Sequence, residues 1–255
     1  MDPRDGTMRY RAIAETIREE IAVGDYGPGD ALPSQSALAE RFETTVTTVR
    51  QALRLLQEEG LLIFQHGVGS FISGLTDEHR GLQLSSFSGT LEASGTPVET
   101  RIIATQSNLA DPAVARWFSR EESRFALLER LRLVRGRPVI YQRSYVPERY
   151  ASVLENYTPE KGLYGELGKS LRRVIAVAEE QLEAVALPAE VAELLDAETG
   201  GAAFLSRRIS KTLTGESVLF DLAYMVGGAV SVEIHRRGRF SEFGYAVNRD
   251  GGSNG

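Results

Sequence analysis

Apolar residues in the first seventy positions recur at a helical period and then give way to short runs. Ile13, Ile17 and Ile21 fall every four residues and predict a helix from about Tyr10 to Val23 with one apolar stripe. GDYGPGD, with three glycines and a proline, stops it. Leu32-Pro33 then leads to Ser34, a good N-cap, and Leu38, Ala39 and Phe42 predict a short second helix. Glu43 and Thr44 form a tight turn, and Thr45 caps a third helix that buries Val49, Leu53 and Leu56, with Ala52 small enough for close packing. Gly60 is expected to end that helix in the left-handed conformation. Strands are expected at 61–63 and 70–72 around the loop Gln65-His66-Gly67-Val68-Gly69. Three helices and a two-stranded ribbon make a winged helix-turn-helix.

The texture changes after SGLTDEHRG (73–81). Asp111-Pro112 opens a helix through Trp117-Phe118, with Asp as N-cap and Pro at the first helical position. Alternating runs predict strands at 128–134 and 139–146 around the turn Arg135-Gly136-Arg137. A helix over 163–171, a strand over 174–186, a helix begun by Pro188 and strands at 204–213, 218–226 and 230–235 complete the pattern. The reading is α+β. A winged helix-turn-helix domain spans 1–74, a linker 75–81, an antiparallel-sheet effector-binding and dimerisation domain 82–243, and a flexible tail 244–255.

The 42% hydrophobic and 25% charged content of the 255 residues suits a globular protein with ample core. No apolar run approaches the roughly 18 residues of a membrane span. The start, MDPRDGTMRYR, is not a secretory signal, and no cysteine is present for disulfides or thiolate metal sites. A cytoplasmic protein without cofactor or metal is the expectation. The net charge of −6 weighs against a nucleic-acid partner, and residues 1–75 carry seven arginines and no lysine against eleven acids. The distribution alters that picture. Glu15, Glu19, Glu20, Glu58 and Glu59 fall on the first helix and at the end of the third. With Val49, Leu53 and Leu56 inward, the third helix turns Val46, Thr47, Arg50, Gln51 and Arg54 outward together. Arginine can grip guanine, glutamine can pair with adenine, and Thr47 can meet a phosphate or a thymine methyl. The free N–H groups of the first turn, with the Thr45 and Thr48 hydroxyls, favour a phosphate. Ser34 and Ser36, at the start of the second helix, and the wing residues His66 and Gly67 complete the DNA-binding candidates.

In the second half, ERLRLV places Arg130 and Arg132 on one face of a strand, roughly 7 Å apart. Two adjacent guanidiniums repel unless an anion sits between them or carboxylates such as Glu179 or Glu183 answer them from another strand. Nucleophile–base pairs and phosphate- or dinucleotide-binding loops are absent from the sequence. A lyase-like enzyme built on the second domain is therefore the alternative rather than the expectation.

Several blocks in order over about 65 residues resemble the GntR family of bacterial transcription regulators, in its HutC-type branch. They are Tyr10-Arg11-Ala12-Ile13-Ala14, Pro28-Gly29-Asp30-Ala31-Leu32-Pro33-Ser34, Thr48-Val49-Arg50-Gln51-Ala52-Leu53, Glu59-Gly60-Leu61 and His66-Gly67-Val68-Gly69-Ser70-Phe71-Ile72. The resemblance implies DNA contacts from Thr45, Thr47, Thr48 and Arg50, with the His66-Gly67 loop in the minor groove. This chain has Gln35 and Val46 where the family usually has glutamate and arginine. From Leu82 on, the chain resembles the UTRA effector domain, whose fold is like that of chorismate lyase. That likeness implies an anion held by Arg130 and Arg132 with Ser86-Phe87-Ser88 and the helix start at Leu163 and Tyr164; Gln142 and Tyr224 join these candidates. Gln142 stands where members that bind amino-sugar phosphates usually carry a glutamate, another family glutamate falls near Leu219, and Val226-Gly227-Gly228 replaces a polar run. A less polar ligand follows, a carboxylate or phosphate with an apolar body. The expectation is a homodimeric repressor that binds a palindromic double-stranded operator and is released by a small anionic metabolite.

Overall fold

The computed structural model describes residues 3–65, 68–73, 97–237 and 240–247. Helix α1 (Pro3–Val23) begins earlier than its apolar stripe predicts. Ile13, Ala14, Ile17 and Ile21 on α1 are buried against Val49, Ala52, Leu53 and Leu56 of α3 (Val46–Glu58). Burial of each large aliphatic side chain contributes about 1.5–3 kcal/mol, so this stripe is the main stabiliser of the domain. Helix α2 (Gln35–Arg41) is capped by the Ser34 hydroxyl, which accepts from the Ala37 amide at 3.2 Å. The turn to α3 holds Glu43 at φ 47°, the left-handed region that a non-glycine residue enters only at a cost. Gly60, at φ 75°, ends α3 as expected. Strands β1 (Leu62–Gln65) and β2 (Gly69–Ile72) form the antiparallel wing. The segment before α2 lies along β2, with Leu32 N–H donating to Ser70 O at 2.8 Å.

The second domain is built on a six-stranded antiparallel sheet in the order β3-β4-β5-β8-β7-β6. Its strands are β3 (Glu99–Leu109), β4 (Phe125–Val134), β5 (Arg137–Pro147), β6 (Ile175–Ala186), β7 (Ala202–Thr212) and β8 (Ser217–Val226). Helices α4 (Pro112–Ala115), α5 (Ala151–Glu155), α6 (Leu163–Leu171) and α7 (Ala189–Leu194) join them. Asp111 caps α4 as its sequence predicts, though the helix stops at Ala115. Strands β9 (Val230–Arg237) and β10 (Phe240–Val247) form a separate hairpin. Residues 244–247, expected in a flexible tail, pair along β9, so the domain runs past 243.

Directly paired residues on antiparallel strands share a face. One face of the sheet carries Ala126, Leu128, Val146 and Leu219 under α5 and α6. Farther along, the same face carries Ile140, Ala223 and Met225, packed with Val230 and Tyr245 of the hairpin. The opposite face packs α7 against Leu131, Leu133 and Tyr141, and α4 against Phe125, Leu127 and Phe220. Trp117 stacks on Phe220 there with ring centroids 4.8 Å apart.

The two domains share a joint. Val174, just after α6, is buried in the core cluster of the first domain, with Ala176 and Leu213 packed against it. Arg173 Nη1 donates to the carbonyl of Ala22 in the last turn of α1 at 3.0 Å. Among the described residues no helix is long and apolar enough to cross a membrane, and no cluster of His, Cys, Asp or Glu could hold a metal ion.

Candidate DNA-reading face and effector site

The Thr45 hydroxyl caps α3 by accepting from the Thr48 amide at 3.2 Å, and the two threonine hydroxyls lie 3.0 Å apart. Thr45, Thr47, Arg50, Gln51 and Arg54 are all exposed, and Thr48 is half-buried. Ser34 and Ser36 are exposed at the start of α2. Gln35 ties the two helix starts together, because its Oε1 accepts from Arg50 Nε at 3.4 Å. These exposed side chains of α2 and α3 are the candidates for the reading face. His66 and Gly67 lie outside the described residues.

The acidity of this domain is spent elsewhere. Arg18 pairs with Glu15 and, at 2.8 Å, with Glu59, while Arg41 pairs with Glu20. Those carboxylates hold the Arg18 and Arg41 guanidiniums, chiefly by hydrogen bonding, above the ordinary arginine pKa. Arg50 and Arg54 make no ion pair among the described residues, so both charges remain available to a polyanion.

A second polar assembly lies inside the other domain, on the sheet face between the α5–α6 cover and the hairpin. Arg130 and Arg132 are 2% and 3% exposed, which overturns the alternative of a surface pair answered by glutamates. Glu179 instead pairs with Lys211 at 2.6 Å and Glu183 with Arg207 at 2.8 Å. Arg130 donates to the Tyr157 hydroxyl at 3.2 Å and to Ser144 Oγ at 2.5 Å, and its Nε has no hydrogen-bond partner among the described residues. The Tyr157 ring centroid lies 5.1 Å from the Arg130 guanidinium carbon. Arg132 donates to Thr100 Oγ1 and, at 3.4 Å, to Gln142 Oε1.

Asp221, also buried, lies on the same face. Its Oδ1 accepts from Gln142 Nε2 at 2.9 Å and from Ser144 Oγ at 2.5 Å. Tyr164, at the start of α6, approaches its Oδ2 at 3.5 Å and lies 3.0 Å from Ser210 Oγ. Burial, with the Asp221 carboxylate adding to it, pushes the Tyr164 hydroxyl up to about 12, so it stays a neutral donor. Beyond Asp221, the buried Arg208 pairs with the partly buried Glu180 at 2.8 Å, and Glu180 also accepts from Ser206 and Tyr245. The Tyr245 bond ties the β9–β10 hairpin to the sheet.

The structure therefore joins Arg130, Arg132, Gln142 and Tyr164 in one band. Leu163 lies beside it but in the apolar cluster with Leu128 and Leu219. Gly162, at φ 67°, takes the left-handed turn that brings these two residues in. Tyr224 is a correction: it pairs with Tyr141 and packs with Leu131 and Leu133, on the face opposite Asp221 and Ala223. Period-2 geometry makes residues 221 and 224 face opposite ways. Ser86, Phe87 and Ser88 lie outside the described residues. Sequence reasoning missed Ser144, Tyr157 and Asp221. An aspartate within VLFDLAYMV is a legible signal, since a carboxylate in a buried strand needs partners.

A winged reading head joined to a sheet domain with buried, ligand-grade cations defines a DNA-binding regulator with a sensor domain. Residues 9–72 match the model of the bacterial regulatory proteins of the gntR family, and residues 93–231 match the UTRA domain. The chain belongs to the GntR family of bacterial transcription regulators, among its members with a UTRA domain, and this sets the lyase-like alternative aside. It is similar to the mannosyl-D-glycerate transport/metabolism system repressor MngR of Escherichia coli, 28% identical over 188 residues that cover 73% of this chain and 78% of that one. It is also 28% identical to the transcriptional repressor NagR of Bacillus subtilis over 207 residues, 81% of this chain and 85% of that one. In fold it resembles the crystal structure of PhnF from Mycobacterium smegmatis, with TM-score 0.51 and 23% identity over 85% of this chain and 94% of that one.

Proposed function

We propose that this regulator is a cytoplasmic repressor that binds a two-fold related operator as a homodimer and is released by a small anionic metabolite. The observation that carries the ligand's charge is Arg130. It is a buried guanidinium whose hydrogen-bond partners are two neutral hydroxyls, with no carboxylate in ion-pair contact among the described residues. A buried charge without a counter-ion costs several kcal/mol, and an oxyanion beside it offsets that cost. The names of the two similar repressors support the sign of regulation, and MngR is named for mannosyl-D-glycerate, a glycoside of a carboxylic acid. Affinity favours two copies, since a head with so few cations binds weakly alone and two recognition helices one turn apart require a two-fold operator.

The ligand's body is better served by hydroxyls than by the apolar surface expected from the loss of family charges. Ser144, Ser206, Ser210, Asp221 and Tyr164 line the same band and favour a partner that can exchange hydrogen bonds with them. Release then requires the band to move the heads, and α6 supplies the route. Its first turn places Tyr164 in the band, and the chain leaving its end makes the Arg173–Ala22 bond to α1.

The test is release of a fluorescent operator duplex, selected from random DNA by the protein itself, on addition of sugar phosphates, sugar acids and uncharged sugars. Anions that release the DNA from wild type and leave Arg130→Gln bound are the expected result. Release by uncharged sugars alone, or equal release of the variant, refutes the anion site.

A further inference from the structure

The N-cap and first turn of α3 are built from short side chains. Thr45, Val46, Thr47 and Thr48 reach no farther than a valine, whereas Arg50 and Arg54 stand one and two turns behind Val46. A recognition helix in the major groove brings its N-terminal residues to the base edges. Short side chains at that end let the backbone come close to the groove floor, and long ones can reach the floor from the turns behind. The order of side-chain lengths along α3 suits a helix that enters N-terminus first.

Val46 is the member of this turn that the fold does not explain. It is 37% exposed and, among the described residues, stays outside the core cluster around Val49, Ala52, Leu53 and Leu56. Valine is a mediocre helix former, so local propensity gives no reason for it. Thr45, by contrast, caps the helix through the Thr48 amide. Single exposed apolar residues are ordinary on protein surfaces, and Val23 in the same domain is one. Val46 differs in its company. Residues four apart on a helix are neighbours, with Cβ atoms about 5–6 Å apart, and the fourth residue on from Val46 is Arg50. Arg50 is exposed, and its one side-chain bond among the described residues runs from Nε to Gln35 Oε1 at 3.4 Å, which leaves both Nη groups for a base. The apolar group that the major groove offers is the C5 methyl of thymine, and a valine can cover it without stranding a polar atom.

We infer that Val46 is a specificity-determining residue that packs on the C5 methyl of a thymine in the operator half-site. This rests on the reading of α3 as the helix that enters the major groove. Base pairs stack about 3.4 Å apart along a strand, so helix neighbours 5–6 Å apart fall over positions one or two base pairs from each other. The thymine therefore lies within two base pairs of the guanine gripped by Arg50. Thymine is favoured there twice over. Its methyl gains an apolar cover, and any other base would set an amino group or a ring acceptor against valine with no partner.

Deoxyuridine tests this at a single methyl, since it differs from thymidine only there. An operator duplex selected from random DNA by the full chain is remade with each thymine of one half-site replaced in turn by deoxyuridine. Affinities are read by anisotropy competition at fixed KCl for wild type, Val46→Ala, Thr47→Ala and Arg50→Ala. Wild type is expected to lose about fourfold at one position, the effect of one buried methyl. That position falls within two base pairs of the guanine at which Arg50→Ala relaxes specificity. Val46→Ala should be indifferent to the exchange, and Thr47→Ala should keep the discrimination. The melting temperature of Val46→Ala should match wild type, because alanine is the better helix former and nothing is taken from the core. A selected half-site without thymine near that guanine, a wild type indifferent to every exchange, or a Val46→Ala that still discriminates overturns the inference. Loss of discrimination in Thr47→Ala instead gives the methyl to Thr47, which overturns it and leaves the reading face standing. A Val46→Ala that melts well below wild type does the same, because Val46 then serves the fold. If Arg50→Ala binds the selected operator as tightly as wild type, the reading face itself fails and the inference falls with it.

Discussion

Arg50→Ala is the sharpest perturbation of the reading face. Arg50 is exposed on α3, and its one described side-chain bond is the 3.4 Å contact with Gln35, at the weak end for hydrogen bonding. Truncation therefore takes almost nothing from the folded head, whose stability lies in Ile17, Ile21, Leu53 and Leu56 on the other side of the helices. The whole effect falls on DNA. A bidentate contact to guanine contributes about 1–3 kcal/mol, so affinity should drop by about 5- to 150-fold per half-site, and by the square of that factor for a dimer on two half-sites. Fluorescence anisotropy over a KCl series distinguishes the two kinds of contact. Loss of a base contact lowers affinity at every salt concentration and relaxes specificity at one position, whereas loss of a phosphate contact reduces the salt slope by about one. Unchanged affinity with an unchanged slope would falsify the assignment of Arg50 to the reading face.

Arg173→Ala removes the side-chain bond from the end of α6 to the Ala22 carbonyl, worth about 1.5–3 kcal/mol as a hydrogen bond from a charged group. Binding of an effector should persist by calorimetry while its power to release operator DNA falls by about tenfold or more; full release by the variant would remove this bond from the route. Tyr164 titrates near 12 in the folded chain against about 10 unfolded, so the folded state holds the proton more tightly. Its share of stability is complete below pH 10 and is lost as pH rises through 12, a fall of about 2–3 kcal/mol. Urea unfolding of wild type and Tyr164→Phe between pH 9 and 12 checks this, because the variant should show a shallower decline; parallel curves would contradict it.

The helices of the head were legible because their apolar positions keep one period and their ends carry strong signals, Ser34, Thr45 and Gly60. The reading face followed, since fixing Val49, Leu53 and Leu56 inward determines where Arg50 and Arg54 point. Strand β3 was not legible. ETRIIATQSNL is an edge strand, exposed along most of its length, and its polar residues need no alternation because so little of it faces a core. Strand β10 escaped for a related reason, as it pairs in a two-stranded hairpin and not in the main sheet. In the sensor band Arg130 and Arg132 were visible by alternation, but their partners were not. Ser144, Asp221 and Tyr157 come from β5, β8 and the segment after α5, and only the register of β5 with β4 and β8 brings the first two to the arginines. Tyr224 failed because its side of β8 depends on that same register.

The joint between the domains narrows what the effector can do. Val174 belongs to the core of the head, and from Ile175 the same chain runs into β6, which carries Glu180 of the buried Arg208 pair. A sheet held by two such anchors is poorly suited to slide, because moving β6 would break the Arg208–Glu180 ion pair and leave the buried guanidinium unpaired, or open the core around Ile17 and Ile21. Helix α6 is freer. Its N-cap makes no side-chain bond, it ends on Arg172 at φ 50°, and its polar reach into the band is one hydroxyl, that of Tyr164, whose contact with Asp221 is stretched to 3.5 Å. A ligand that draws on Asp221 or Ser210 competes with Tyr164 for them. It therefore has a different affinity for the two positions of α6, which is the condition for coupling between sites. A coupling of 1–3 kcal/mol is typical of such systems, and it is of the same order as the Tyr164 and Arg173 hydrogen bonds at the two ends of this helix. The magnitude required for release is thus available within α6 without disturbing either core.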